Sequence, residues 1–309
     1  DLLYNGGIGT YVKAHDESHA DVGDRANDAV RIDGRDLRCK VVAEGGNLGL
    51  TQRGRIEYAL AGGRINNDAI DNSAGVDTSD HEVNIKILLA IPVAEGALTL
   101  RQRNDLLASM TDDVAALVLR DNYEQTQVLS VGGRLAAKLL DDYARFIRYL
   151  EREGRLNRAI EFLPSDEALA ERAAAGLGLT SPECAVVLAY AKLWLYDVVL
   201  ASALPDDPWV ARALVDYFPA PLRERYAGAM ARHPLKREII ATVVVNRTVN
   251  RVGPTFVHRA AEATGADPSE VVRAHLLTRE VFGLPALWRD VEALDNVVAD
   301  EVQARMLID

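Results

Sequence analysis

The chain has 309 residues, enough for about two domains with real hydrophobic cores. Its 46 acidic residues outnumber 35 basic ones, and the net charge of −11 repels nucleic acid and anionic membrane, so neither is an expected partner. No apolar run looks close to the ~20 residues that span a bilayer, and Cys39 and Cys184, far apart in apolar contexts, read as two free thiols in a reducing cytoplasm.

The chain opens without an initiator Met or a signal-peptide pattern, on Leu2-Leu3-Tyr4, which reads as a strand already under way. On that ground it looks like a piece of something longer. The strand runs into Asn5-Gly6-Gly7-Ile8-Gly9-Thr10. A dinucleotide fingerprint needs one more glycine where Thr10-Tyr11-Val12 follow, so this is not a pyrophosphate loop; by itself it reads as a tight turn. Asp16 to Asp28 reads as a surface segment with a short helix, and Asp33-Gly34 as a turn before an apolar strand from Cys39 to Ala43.

The stretch that follows is the most informative. The strand ends on Gly45-Gly46, where the backbone turns with no side chain above it, and Asn47 then offers an amide that both donates and accepts. A helical interval from Thr51 to Leu60 stops at Gly62-Gly63. Arg64 to Ile70 leads to a second small-residue elbow, Asp71-Asn72-Ser73-Ala74-Gly75-Val76, and a new helix is expected from Ser79. Strand, glycine elbow and helix, twice over, is the grammar of a doubly wound nucleotide-binding sheet.

Asn47 and Asn72 each stand at such an elbow. There a neutral amide can hold a nicotinamide carboxamide, or simply serve a left-handed turn. Ser79-Asp80-His81-Glu82 fits a capping box, and the same helix start is a ready anion site. Asp77, Asp80, His81 and Glu82 point in different directions from one helix, with no second His or Cys at ligand spacing, so no metal site is expected.

Beyond Ser79 helical periodicity takes over. Helices are expected from Ser79 to Pro92, Thr99 to Leu119 and Leu135 to Leu150. The next opens on a capping box at Thr180-Ser181-Pro182-Glu183 and reaches about Ala203. Others start at Asp207-Pro208, Pro221, Pro234 and Asp267-Pro268, then a short one carries Trp288, and the last runs from Val298 to Leu307. His233 and His258 read as packing or capping residues. Asn246 to Arg251 carries polar groups on an otherwise apolar helix, suited either to a domain junction or to a solvated face.

Taken together, Glu44-Gly45-Gly46-Asn47, Arg64-Ile65-Asn66-Asn67-Asp68 and the run from Asn72 to Asn84 resemble the large, NAD-specific glutamate dehydrogenases of bacteria. The resemblance covers essentially the whole chain and extends more weakly to the small glutamate dehydrogenases. It implies an α/β unit, the second half of a Rossmann-like NAD-binding domain over residues 1–95, followed by an all-α domain over 96–309. It implies NAD as cofactor and L-glutamate giving 2-oxoglutarate and ammonium, in a cytoplasmic homo-oligomer. Gly6, Gly7, Gly45, Gly46, Asn47 and Asn72 would then line the cofactor, and Ser79 would bind the distal carboxylate of the substrate. The small enzymes carry aromatic residues just after that serine; Asp80 and His81 stand here. The family's catalytic lysine and aspartate belong to a substrate domain that precedes this stretch. None of Lys13, Lys40 and Lys86 matches them, so no catalytic residue is expected within the chain, which alone should be inactive. A rival reading makes the helices after residue 98 an assembly module with no ligand contacts.

Overall fold

The computed structural model describes residues 1–308. Leu2–Asn5 and Val41–Glu44 pair as parallel strands, Leu2 opposite Val41 through Asn5 opposite Glu44. Val12–Lys13 and Ile32–Asp33 form a second parallel pair. Among the described residues the expected doubly wound sheet is thus reduced to two short pairs. Arg64 begins a further parallel partner, exchanging backbone hydrogen bonds with Lys40 (3.0 Å) and Val42 (2.9 Å). It goes no further because Asn67 turns the chain. Its side chain accepts from Ile70 N at 3.0 Å and starts the short Asp68–Asp71 helix.

The Gln52–Leu60 helix lies where the sequence places it, capped by Thr51 Oγ1 accepting from Gly54 N at 2.9 Å. It closes a small core of Val12, Val42, Leu50, Tyr58 and Ile65.

Two expectations fail at the next junction. Asn72 to Val76 is no glycine elbow: the helix starts at Ser73 and runs to Ala94, with Gly75 inside it and open space where a Cβ would stand. Ser79 therefore sits in the second turn and the Ser79–Glu82 capping box does not form. The Asp68–Asp71 turn feeds straight into the longer helix, so the amides that Ser79 was expected to cap are already inside it. Nor does Pro92 end the helix; it is carried in the last turn, and the chain leaves through Gly96 at φ 73°.

Thr99 and Gln102 cap each other to open Leu100–Ser109, and a break at Met110, buried in the core, separates it from Thr111–Leu135. The single helix expected from Thr99 to Leu119 is thus two, the second running on to Leu135. Leu140–Arg152 follows, its Phe146, Ile147 and Leu150 fully buried. Ser181–Ala201, opened by the expected box at Thr180 and Glu183, is long and apolar enough to span a bilayer, although no such run is expected from the sequence. Here it is the rod at the centre of the core. It packs against Lys236–Val252 and Thr111–Leu135, with Val187, Leu188, Leu195 and Val199 sealed from solvent. The helix expected from Asp207 shrinks to a 3-10 turn at Val210–Arg212 and Ala213–Tyr217.

A continuous core runs from Ile70 and Ile85 through Phe146 and Val187 to Leu276. Apolar packing thus divides between Ile65 and Ile70, ahead of the 95/96 boundary expected from sequence. Across the division Gln52 Nε2 donates to Pro182 O at 3.2 Å, and Ser181 Oγ donates to Asn66 Oδ1 at 2.9 Å.

Candidate functional site

Two loops meet at the carboxyl ends of the first strand pair. Gly46 N donates to Asn5 O at 2.9 Å, and a Cβ on Gly46 would stand 2.3 Å from Gly7 O. Only glycine lets the backbones approach so closely. Beneath them Glu44, fully buried, accepts from Arg55 Nε at 2.7 Å and Nη2 at 2.9 Å. Burial pushes the Glu44 carboxyl above its ordinary range while the guanidinium pulls it back. Leu48 adopts a left-handed φ of 58°, its N–H donating to Asp68 Oδ2 at 2.7 Å and its carbonyl accepting from Thr10 Oγ1 at 2.7 Å. These bonds present Asn47 at the tip of its turn.

The second segment is stitched to the same strand end. Asp71 Oδ2 accepts from Glu44 N at 3.0 Å, and Asp71 Oδ1 from Asn66 Nδ2 at 3.1 Å. From the Thr111–Leu135 helix, Asn122 Nδ2 donates to Ile70 O and Ser73 Oγ, each at 2.9 Å. Asn72 is thereby held against Asn47, its Nδ2 donating to Asn47 Oδ1 at 2.5 Å. Residues 25 apart in the chain meet at one point.

This pair opens on a cleft of about 520 Å³, lined also by Ser73, Val76, Asp77, Asp80, Asp121, Lys192 and Asn246. Gly6, Gly7, Gly45 and Gly46 stand at the same strand ends but do not line this cleft. Ser79 is exposed beside it rather than within it.

The cleft also carries a titratable cluster. Asp77 and His81, one helical turn apart, and Asp121 from the neighbouring helix bring ligand atoms within 4.8 Å of one another. Burial, and then the Asp121 carboxylate, push the Asp77 carboxyl up to about 7. Burial raises Asp121 as well. Lys192, whose Nζ donates to Gln125 Oε1 at 3.1 Å, is lowered to about 8 by burial, against the pull of Asp121, Glu124 and Asp77. Its charge acts on these carboxyls, and those of Asp77 and Asp121 are coupled closely enough to share a proton. His81 is buried, pushed down by desolvation and stacked on Tyr217 with ring centroids 4.4 Å apart. The arrangement can hold and pass protons at near-neutral pH beside a neutral amide pair. Lys192 did leave a trace in the sequence, as a lone cation within an apolar helix. Asp77 and His81 stand in an acidic run visible in the sequence, whereas Asp121 left no trace and is brought to them only by helix packing.

Residues 1–132 match the family model described as bacterial NAD-glutamate dehydrogenase, catalytic domain, and residues 176–309 match glutamate dehydrogenase, C-terminal. The chain belongs to the bacterial NAD-glutamate dehydrogenase family. It is 53% identical over its whole length to an NAD-specific glutamate dehydrogenase of Halomonas elongata, covering 19% of that protein. It is likewise 53% identical over 99% of its length to one from Pseudomonas aeruginosa, covering 19% of it. For one from Mycobacterium tuberculosis the identity is 50% over 97% of this chain and 18% of the relative. The chain thus spans about a fifth of the length of these relatives.

His233 and His258 pack as expected. His233 Nδ1 accepts from Leu235 N and its Nε2 donates to Asn84 O, both at 3.1 Å, and His258 lies against Phe146 and Tyr149. In the Asn246–Arg251 run, Asn246 reaches the cleft, Arg247 pairs with Asp216 at 2.8 Å, and Arg251 pairs with Glu124 and Glu292.

Proposed function

We propose that this chain supplies the cofactor-side wall of the active cleft in an NAD-dependent glutamate dehydrogenase, converting L-glutamate to 2-oxoglutarate and ammonium. The observation that carries this reading is the Asn72–Asn47 hydrogen bond at the mouth of the cleft. It leaves Asn47 Nδ2 and Asn72 Oδ1 without partners among the described residues, one donor and one acceptor on neutral groups. A nicotinamide carboxamide asks for that complement, and NAD supplies the hydride acceptor when bound. The parallel pairing of Leu2–Asn5 with Val41–Glu44 supports the second half of a Rossmann-like domain, with the ligand outside the strand ends. Gly6, Gly7, Gly45 and Gly46, at those ends, would lie along the ribose.

Ser79 is proposed to meet the distal carboxylate of the substrate from its exposed place next to Asp80. The lysine that activates the amine and the pyrophosphate loop are proposed to come from outside these 309 residues. The isolated chain is therefore expected to give no glutamate-dependent NADH signal. Assembly into a homo-oligomer is also proposed, supported by Val281 and Phe282, which are 77% and 73% exposed at the end of one helix.

In the full-length enzyme, Asn47→Ala and Asn72→Ala are each expected to raise the KM for NAD about tenfold, the worth of one lost hydrogen bond. The KM for glutamate should hardly move. Hydrogen exchange in the presence of NADH should slow at residues 44–49 and 67–73. Unchanged exchange at both segments, with NADH demonstrably bound, would refute the assignment.

A further inference from the structure

Behind the cleft, sharing Asp121 and Asn246 as a common wall, lies a second cavity of about 400 Å³. In a chain of net charge −11, this cavity gathers five guanidinium groups: Arg120, Arg247, Arg251, Arg279 and Arg289. Two of them are fully occupied within the fold. Arg120 bonds Glu292 through two nitrogens, at 2.7 and 3.1 Å, and Glu124 at 2.8 Å. Arg251 bonds Glu292 and Gln127 at 2.8 Å and Glu124 at 3.0 Å. Arg247 gives one bond to Asp216, at 2.8 Å.

Arg279 and Arg289 are different. Arg279 comes no nearer to a carboxylate than 4.0 Å, at Glu280, and its Nε is buried with no hydrogen-bond partner. Arg289, exposed at the rim, forms no ion pair among the described residues. Trp288 lies between two cations, its ring centroid 4.7 Å from the Arg251 guanidinium carbon and 5.8 Å from that of Arg279. Burial, together with the charges of Arg247 and Arg251, pushes the Arg279 guanidinium below its usual range. Like charges are thus crowded where water is partly excluded, and too few carboxylates stand opposite them. A folded chain does not gain from such crowding unless something anionic neutralises it.

We propose that this cavity binds a small multivalent anion of the phosphate or carboxylate type, held by Arg247, Arg279 and Arg289 beside Trp288. Planar guanidinium forks match the oxygens of either class, and the volume suits a compact anion rather than a polymer. This site does not depend on the dehydrogenase reading of the neighbouring cleft.

The test is calorimetric titration of the full-length enzyme with inorganic phosphate and, separately, with malonate. Saturable binding of either is expected, and which of the two binds tells the phosphate class from the carboxylate class. Arg279→Gln and Arg289→Gln should weaken it at least tenfold. Arg225→Gln, whose guanidinium lies over Tyr226 away from this cavity, should leave it unchanged. Arg289 is exposed, so its variant keeps the fold even if Arg279→Gln does not; a tenfold loss in either folded variant supports the site. Absence of saturable binding by both anions, or undiminished affinity in Arg289→Gln and a folded Arg279→Gln, overturns it.

Discussion

Asp77 and Asp121 face each other from separate helices, and two carboxyls so close in a partly buried cleft cannot both ionise without cost. Burial, and then the Asp121 carboxylate, push the Asp77 carboxyl up to about 7 in the folded chain from an ordinary 3.8. Between about 4 and about 7 the native state keeps a proton that the unfolded chain has lost, so this group makes stability fall as pH rises through that window. In Asp77→Asn that fall should be gone: melting temperatures at pH 5 and pH 7.5 should differ less than in the wild type. Parallel shifts in both proteins would count against a raised Asp77. Lys192 acts with the opposite sign. Its folded value of about 8 lies below the ordinary 10.5, so above pH 8 the native state releases its proton first and stability rises until the unfolded chain follows. Lys192→Met should flatten that rise, read from urea midpoints at pH 7.5 and 9.5. Within this cluster Asp77 and His81 belong to an acidic run visible in the sequence, and Lys192 is the lone cation of an apolar helix. Asp121 breaks no local pattern.

At the scale of elements, two glycine-rich segments that read alike in the sequence prove to be different things. Gly46 is fixed by a neighbouring loop: a methyl group there would press on Gly7 O from 2.3 Å. Gly46→Ala is expected to cost about 1–3 kcal/mol by urea denaturation, because backbone rather than a flexible side chain must move. It should also weaken NADH binding in the full-length enzyme by spreading the strand ends. Gly75 sits in a helix with open space around it, so Gly75→Ala should stabilise by about 0.5–1 kcal/mol through helix propensity and lost unfolded-state freedom. A loss of stability in Gly75→Ala would show that its turn is not helical after all. Capping signals were read correctly at Thr180 and Asp267, where donor and acceptor lie within three residues. The box at Ser79 was read wrongly because where a helix begins depends also on what precedes it. Here that is a turn held by Asn67 and by Asn122 from a distant helix.

On the scale of the whole molecule, two cores of unequal size determine how the chain comes apart. The five buried side chains of the α/β lobe leave little to hold residues 1–66 once the seam at Pro182 and Ser181 opens. Hydrogen exchange should be markedly faster there than in Ser181–Ala201 and Lys236–Val252. Phe146→Ala, at a fully buried position of the large core, should cost about 3–5 kcal/mol of global stability. Leu50→Ala should instead abolish protection in residues 1–66 and leave the helices protected. Equal loss across both lobes would show a single cooperative unit. By itself the sequence determined the elements whose causes lie within a few residues: the strand before Gly45, the caps at Thr180 and Asp267, the helical character beyond residue 79 and the turn that bears Asn47. Only the tertiary structure decided that Asn47 meets Asn72, that Lys192 stands over Asp77 and Asp121, and that five arginines converge around Trp288. The reason is physical: a cap or a turn is set by neighbours along the chain, whereas these groups are positioned by packing between helices whose contacts no local pattern encodes.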